Sequence, residues 1–586
     1  MIDYVFRVGG EGGEGVISTG ELLTLALARA GFEIYTFRTY PAEIKGGHAN
    51  YQTRAAGKLL LSQGDKVDVL MAFNQEAYDK HYKDVRHGGA IVIDSDSFTV
   101  PETDAFVLYS VPLTSMATEK IGIKLTKNII ALGVLAGLFE IPEDKFESLL
   151  KDRFKKKGEA VVQKNISAFQ LGVEYAKGMQ KRDDIRLGHG PRTNKGLVLS
   201  GNESLALGAI AAGCRLYAGY PITPATDIME FLARELPKIG GYVVQTEDEI
   251  SAIGCVLGAS FAGRKAMTGT SGPGLSLMVE MIGLAVASEI PAVIVDVQRV
   301  GPSTGMPTKT EQADLYLAVY GGHGSAPRIV MALNNVEDCF YGIQRAFNIA
   351  EEYQMPVIVL SDQYLGHRKA TVPPPDLNKV QIIERRKPTP EELNNGYKRY
   401  KMTPDFISPM SIPGMEGGGY VAEGLEHDEV GYPAASNHEN HLQLTKKRYG
   451  KFVAVEKLAN ELARVHGDDH PEIGVIGWGS TEGVIREAVQ MARDKGYSCG
   501  ALHPKILYPL PLARIRDFTS KAKAVIIPEV NYTGQFATLL RKRFTHDFIQ
   551  LNKCVGLPFT PKEIFDKIEE VARNVNANRG AEPARV

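Results

Sequence analysis

The sequence predicts an α/β fold made of three doubly wound α/β domains, and three observations carry the prediction. Short apolar runs alternate with helical stretches along most of the 586 residues, the pattern of mostly parallel sheets with helices on both faces. A chain of this length needs about three or four hydrophobic cores. Two stretches break the alternation, 181–195 and 371–450, and they divide the chain in three.

The first domain spans 1–180. Tyr4–Val8 reads as a short strand, GGEGGEG as a glycine loop, and Leu22, Leu23, Ala26 and Leu27 as one stripe of a following helix. A strand at 32–37 is expected to complete a βαβ unit, with further parallel strands at Val67–Phe73 and Ala90–Asp94 and helices near 128–139 and 143–154. Residues 181–195 (KRDDIRLGHGPRTN and the next lysine) read as a polar linker. A second domain, 196–370, has expected strands at 214–219, 242–246, 265–268, 292–297 and 357–361. Residues 371–450 are rich in Pro, Gly, His and Glu, and an extended segment of that size is functional or wraps a neighbour. A third domain, 451–575, has expected strands at 473–477, 498–501 and 524–527, and the tail 576–586 is expected to be disordered.

Composition narrows the class of protein. At 44% hydrophobic and 23% charged the chain is ordinary globular protein, and a formal charge of -2 gives no reason to expect nucleic acid or a basic membrane patch. Apolar runs such as 290–295 end too early to span a bilayer. The N-terminus enters a strand directly, without the basic and apolar regions of a signal peptide, so a cytoplasmic protein is expected. Cys214, Cys255, Cys339, Cys499 and Cys554 form no CxxC pair. No metal site is therefore expected here, and any one-electron carrier belongs to a partner.

The chemistry concentrates in 217–278. Glu249 opens an expected helix, 248–263, whose Gly254, Gly258 and Ala262 leave one face almost bare. Either a helix packs tightly there or a flat ring does, with Glu249 facing it. A carboxylate in apolar surroundings is suited to sharing a proton, although three acids at 247–249 also simply favour a helix N-terminus. In Tyr220-Pro221-Ile222-Thr223-Pro224, two prolines hold Thr223 on a rigid turn after a strand, where ligands bind in open α/β sheets. The plainer alternative makes Thr223 an N-cap and Pro224 the first helical residue. The loop Thr268–Gly274, including Thr270 and Ser271, lies between strand and helix and offers hydroxyls and backbone N–H groups. Arg299, at the end of a strand, suits a substrate carboxylate, and Lys309 in the same loop is a second candidate. Gly12 and Gly13 of the first glycine loop, and Lys45 before Gly46-Gly47-His48, could meet an anionic ligand, although Glu11 and Glu14 would repel a phosphate.

These residues together resemble the 2-oxoacid:ferredoxin oxidoreductases. YPITPATD looks like the YPITP turn of their alpha subunits, Glu249 matches the glutamate of their thiamin-diphosphate pyrimidine-binding domain, and TGTSGPGLSLM is similar to the loop that follows it. Residues 1–180, with GGEGGEGV and TYPAEIKGGHA, resemble the gamma subunit fused ahead of alpha, and 407–433 resembles a stretch of 2-oxoglutarate-type members. The chain departs from the pattern at Gly272-Pro273, where pyruvate-type members often show Ser-Gln, and at Glu14, where Gln is usual.

The resemblance implies a gamma-type domain on the coenzyme A side (1–180), a pyrimidine-binding domain (196–370) and a transketolase C-terminal-like domain (451–575). It implies oxidative decarboxylation of a 2-oxoacid with coenzyme A, electrons passing to ferredoxin. Glu249 would hydrogen-bond the aminopyrimidine ring of thiamin diphosphate, with Pro221, Ile222, Thr270 and Ser271 around that cofactor. Thr223 and Arg299, with Lys309, would hold the substrate. Gly12, Gly13 and Lys45 would face coenzyme A. No GDG…N motif is present, so the Mg2+–diphosphate site and the [4Fe–4S] cluster would lie on a beta subunit, in a dimer of heterodimers active only when assembled. 2-Oxoglutarate is the expected substrate, with pyruvate or a branched-chain 2-oxoacid as the alternative, and a transketolase-type thiamin enzyme as a further one.

Overall fold

The computed structural model describes residues 2–41, 46–101, 103–180, 184–193 and 196–580. They form two compact units, one of residues 1–200 with 367–374 and one of 201–366 with 375–586.

The first unit is built on β1 (Asp3–Glu11), β2 (Glu33–Thr39), β3 (His48–Ala56), β4 (Val67–Ala72), β5 (Val85–Asp94), β6 (Phe106–Val111) and β7 (Leu197–Ser200). Together with the later strand β14 (Lys369–Val372) these make one sheet in the order β6-β5-β4-β1-β3-β2-β14-β7. The expected βαβ pairing of the first two strands is corrected. β3 lies between β1 and β2 and runs antiparallel to both, with Val8 opposite Tyr51 and Thr36 opposite Thr53. The connection from Thr39 to His48 is too short for a crossover helix, so the chain turns straight back. The strand at 197–200, expected to begin the second domain, belongs instead to this sheet, where it pairs with β14.

Four longer helices cover the sheet: Val16–Arg29, Lys127–Phe139, Glu143–Phe154 and Glu159–Lys177. The second and fourth approach to backbone distance. A Cβ at Gly133 would lie 2.0 Å from the Phe169 carbonyl oxygen, and one at Gly172 2.1 Å from that of Ile130, so only glycine fits at either position.

The second unit carries a parallel core of β8 (Leu216–Gly219), β9 (Tyr242–Gln245), β10 (Ala266–Thr270), β11 (Ala292–Gln298), β12 (Ile329–Ala332) and β13 (Pro356–Asp362). A smaller sheet holds β15 (Arg464–Gly467), β16 (Ile473–Ile476), β17 (Cys499–His503), β19 (Ala524–Glu529) and β20 (Phe548–Asn552), in the order β15-β17-β16-β19-β20. From between β17 and β19 the chain donates β18 (Ile506–Tyr508) to the larger sheet, antiparallel to β12, giving the order β18-β12-β13-β11-β10-β8-β9. The last helix, Pro561–Gly580, continues past residue 575; the rest of the tail expected to be disordered, 581–586, lies outside the described residues.

Between β14 and the helix His438–Gly450 the chain makes only short helical turns, at Leu377–Lys379 and Pro390–Asn394. This segment wraps the larger sheet's helices through buried ion pairs. Arg385 donates to both Glu351 oxygens (2.7 and 2.6 Å) and to the Ser260 carbonyl (2.6 Å). Further on, Lys447 and Lys451 close on the buried carboxylate of Glu289, while Arg399 donates to the Glu289 carbonyl oxygen at 2.8 Å. Among the described residues no helix is long and apolar enough to cross a membrane.

Candidate active site

Strands β8, β10 and β11 are parallel neighbours, so the segments leaving their carboxyl ends open on one edge of the sheet, the place where such folds bind ligands. Those segments are the turn 220–224, the loop Thr270–Gly274 and the stretch beginning at Arg299.

The turn is built by its own backbone. Ala225 and Thr226 donate to the Ile222 carbonyl at 2.8 and 3.1 Å, and Asn202 Nδ2 holds the Pro224 carbonyl at 2.9 Å. The helix that follows starts at Thr226 with Ala225 as its N-cap. The capping alternative for Thr223 and Pro224 is therefore set aside, and Pro221, Ile222 and Thr223 stand half-buried ahead of the helix. The Thr223 carbonyl accepts from Arg299 Nη1 at 2.6 Å. Two of the substrate-binding candidates are thus joined directly.

Glu249 is the first residue of the helix Glu249–Phe261, whose N-cap, Asp248, accepts from Ser251 N at 2.7 Å. Capping is the task of Asp248, and Glu249 turns inward to 5% exposure. Its neighbour is decided by Gly274. A Cβ there would lie 2.0 Å from Thr270 Oγ1 and 2.5 Å from Glu249 Oε1, so the missing side chain leaves the space in which acid and hydroxyl meet. Ser271 Oγ and Thr268 Oγ1 are buried with no hydrogen-bond partner. Buried hydroxyls of this kind are costly unless a ligand or water satisfies them. The bare helix face is open. A Cβ at Gly258 would meet nothing within 4 Å, and one at Gly254 would meet only Met281 Cε, at 3.7 Å. Within the described chain, then, no helix packs tightly against these glycines. A buried acid and unpaired hydroxyls at one strand edge are what the polar edge of a heterocycle needs, so Glu249, Thr270 and Ser271 fit the thiamin pyrimidine, whereas the glycine face lies across the helix from Glu249.

Arg299 is 7% exposed, and its Nε is buried without a partner. Burial lowers the guanidinium pKa and Asp314 opposes that shift. Two acids beside it are additions to the residues expected from sequence. Asp296, within β11, is fully buried, and burial followed by the Asp314 carboxyl pushes its pKa well above the ordinary range. Burial and Glu311 raise Asp314 to about 6. An acid inside the apolar run AVIVDVQ was the available signal. Lys309 lies in the same loop, half-buried, its carbonyl accepting from Val300 N at 3.1 Å and its stem packed near Gly556. The smaller sheet's domain grips this loop through Gln312. Gln312 N donates to the Val530 carbonyl (2.7 Å), its Nε2 to the Trp478 carbonyl (3.1 Å), and Asn531 Nδ2 to the Gln312 carbonyl (3.0 Å).

In the first unit, a cleft of about 370 Å³ is lined by Glu11, Gly12, Gly13, Gly15, Arg38 and Tyr40 at the start of the helix Val16–Arg29. Gly13 and Gly15 have φ of 97° and 85°, which only glycine adopts freely. Gly12 N donates to the Gly47 carbonyl at 2.8 Å, closing the two glycine turns on each other. Glu14 does not present a free charge. It pairs with Lys127 (3.0 Å) and accepts from Glu11 N (2.8 Å), so the expected repulsion of phosphate is reduced. Arg38, with its Nε buried and unpartnered, is a cleft cation that no sequence motif announced. Lys45 lies outside the described residues.

Known proteins match the chain along most of its length. Residues 207–447 match the family described as pyruvate flavodoxin/ferredoxin oxidoreductase, thiamine diP-bdg. Residues 5–175 match pyruvate ferredoxin/flavodoxin oxidoreductase, and 471–559 match pyruvate:ferredoxin oxidoreductase core domain II. The chain is 32% identical to the alpha subunit of 2-oxoacid:ferredoxin oxidoreductase 2 of Aeropyrum pernix, covering 92% of this chain and 93% of that one. It is 32% identical to the 2-oxoglutarate oxidoreductase subunit KorA of Mycobacterium tuberculosis over 96% of this chain and 90% of the relative. The solved 2-oxoglutarate:ferredoxin oxidoreductase of Magnetococcus marinus, with 2-oxoglutarate, coenzyme A and succinyl-CoA bound, superposes with a TM-score of 0.93 at 44% identity over 97% of this chain and 99% of that one. An oxidoreductase with a thiamin-diphosphate-binding domain, the chain belongs to the 2-oxoacid:ferredoxin oxidoreductase family, on the side of its alpha subunits.

Proposed function

We propose that this chain is the gamma-fused alpha subunit of a 2-oxoglutarate:ferredoxin oxidoreductase, oxidising 2-oxoglutarate with coenzyme A to succinyl-CoA and CO2. The observation that carries the reading is Glu249, buried at the carboxyl edge of the sheet in the space left by Gly274 and beside unpartnered hydroxyls. Thiamin diphosphate, when bound, supplies the electron sink that lets a 2-oxoacid lose CO2. The chain's own part is to hold the pyrimidine edge. The Glu249 carboxyl holds or releases a proton at a ring nitrogen, and Ser271 and Thr270 offer hydroxyls nearby. Arg299 spends one nitrogen fixing the Thr223 turn and keeps Nε for the substrate carboxylate, with Lys309 as a further cation.

The choice of 2-oxoglutarate is supported by the 44% identical relative solved with that acid bound. The same relative holds coenzyme A, and here the cleft of Gly12, Gly13 and Arg38 at a helix start has the chemistry for its phosphates. Lys45, outside the described residues, is kept as a candidate coenzyme A residue on the sequence reading alone. The Mg2+–diphosphate site and the [4Fe–4S] cluster are assigned to a beta subunit, with ferredoxin as acceptor, dimers of heterodimers as the assembly and the cytoplasm as its place.

The test is reconstitution with the partner subunit and a panel of 2-oxoacids, coenzyme A and a dye acceptor. The highest kcat/KM is expected with 2-oxoglutarate, and preference for pyruvate or a branched-chain acid would overturn that assignment. Glu249→Gln in the same assembly is expected to lower turnover by about 10²–10⁴-fold. Near-normal turnover would remove Glu249 from the chemistry.

A further inference from the structure

Glu14 is the one residue between Glu11 and Ser18 that does not line the cleft of Gly12, Gly13 and Arg38. Its side chain folds back beneath the glycine loop. Oε2 accepts from Glu11 N at 2.8 Å and from Asn74 Nδ2 at 3.2 Å, and Oε1 accepts from Lys127 Nζ at 3.0 Å. The carboxylate packs so close to the end of β1 that a Cβ at Gly10 would lie 2.9 Å from Oε2. The Glu14 carbonyl accepts from Asn128 Nδ2 at 2.6 Å, and a Cβ at Gly15 would lie 2.1 Å from that nitrogen. Lys127 is itself fixed. It opens the helix Lys127–Phe139 at 7% exposure, with its ammonium 5.3 Å from the centroid of the Phe73 ring and 4.0 Å from Asp94 Oδ2. Asp94 is fully buried at the end of β5, where Thr114 Oγ1 (2.6 Å) and Ser97 Oγ (3.1 Å) donate to it. A buried ammonium needs paired charge, and this one stands between a carboxylate of the sheet and a carboxylate of the loop.

We propose that Glu14 and Lys127 act together as a positioning pair for the coenzyme A cleft: Lys127 holds the loop's acid on the side away from the cleft, which ties the loop in its shape and keeps that negative charge off an anionic cosubstrate. The pair rests on reading the cleft as the place of the coenzyme A phosphates. A free carboxylate beside a phosphate repels it, and an ammonium in contact with that carboxylate cancels the repulsion. The Glu14 side chain is 26% exposed, so without Lys127 it has a path to solvent and to the ligand. Glu11 is exposed and keeps its charge in every variant below, so it drops out of the comparison. An ion pair that only tied helix to loop would act through stability alone. A positioning pair makes a sharper demand: the harm done by removing Lys127 comes from the charge on Glu14, and neutralising Glu14 must undo it.

Calorimetric titration of coenzyme A into the reconstituted enzyme, without 2-oxoacid, tests the pair. Lys127→Met is expected to raise the Kd for coenzyme A about ten-fold, by an amount that shrinks as salt is added. The KM for the 2-oxoacid in the same assembly is expected to stay unmoved. Adding Glu14→Gln to Lys127→Met is expected to return the Kd to within about two-fold of the wild type. An unmoved Kd in Lys127→Met, or a double variant that binds no better than Lys127→Met, overturns the pair. If Lys127→Met does not fold, Glu14→Ala and Glu14→Gln decide, since both leave Lys127 beside Asp94. Glu14→Ala removes the loop's ties and is expected to raise the Kd about three- to ten-fold, while Glu14→Gln keeps an acceptor for Glu11 N and is expected to bind as the wild type does; equal values for the two overturn the pair. Arg38→Ala separates the pair from the reading beneath it. An unmoved Kd there means that the cleft is not the coenzyme A site, and both fall. A raised Kd there with an unmoved Kd in Lys127→Met leaves the cleft standing and removes the pair alone.

Discussion

At Gly274 the absence of a single carbon atom gives Glu249 and Thr270 their common space. Gly274→Ala would place a methyl 2.0 Å from Thr270 Oγ1 and 2.5 Å from Glu249 Oε1, an overpacking cost of about 1–3 kcal/mol. The expected outcome is a raised KM for thiamin diphosphate with a modest fall in Tm, measured by kinetics and calorimetry; an unchanged KM would show that Glu249 is not confined there. Arg299→Lys replaces a fork that serves Thr223 and a second acceptor with one ammonium. Losing a charged hydrogen bond of about 1.5–3 kcal/mol is expected to raise the KM for the 2-oxoacid by roughly ten- to a hundred-fold. The helix start that carries Glu249, the turn that carries Thr223 and the strand end that carries Arg299 were legible in the sequence. Asp296 was marked only by standing inside an apolar run, and Asp314 by nothing in its own loop.

The element that joins the two sheets of the second unit is anchored by a buried charge cluster. Burial alone would raise the Glu289 carboxyl, but Lys447, Lys451 and Arg399 outweigh it and hold the pKa well below the ordinary carboxylate range. In the unfolded chain Glu289 takes up its proton near the ordinary value of about 4.3, while in the folded chain it remains ionised to lower pH. The unfolded state therefore binds more protons in that window. The stabilisation is complete above the unfolded pKa and is lost as pH falls toward the folded one. Glu289→Gln leaves buried cations unpaired, a cost of about 3–5 kcal/mol. Its Tm is expected to lie well below that of the wild type at pH 7, with the difference narrowing below about pH 4; a constant difference across that range would contradict the assignment. The strand at 67–72 and the second half of the strand at 85–94 were legible as apolar runs, whereas β3 was not, because it is buried on both faces and carries polar side chains on each. Asn50 Nδ2 bonds Thr39 Oγ1 at 2.6 Å, Gln52 Nε2 the Gln63 carbonyl at 2.8 Å, and Thr53 Oγ1 lies 2.8 Å from Thr24 Oγ1. Hydrophobic periodicity has no means of registering a core strand held by hydrogen bonds.

Across the whole molecule, the α/β alternation was legible and the exchanges between domains were not. β18 leaves the smaller sheet's domain to pair with β12, and Gln312 is held by that domain from the other direction. Gln312→Leu would keep the backbone bonds but remove the side-chain bonds to the Trp478 carbonyl and from Val530 N, leaving Val530 N short of a partner, so a lower Tm and a raised KM for the 2-oxoacid are expected together; a lower Tm alone would separate the clasp from the site. A strand of three or four residues carries too little pattern to announce which sheet it joins, and this holds for β7 and β14 as well. These two have a consequence for proteolysis. Cutting the chain between β6 and β7 would leave an N-terminal piece whose sheet lacks two strands, both retained by the other piece. Such a nick yields complementing fragments held by strand donation, so the cleaved chain should migrate as one particle until denatured.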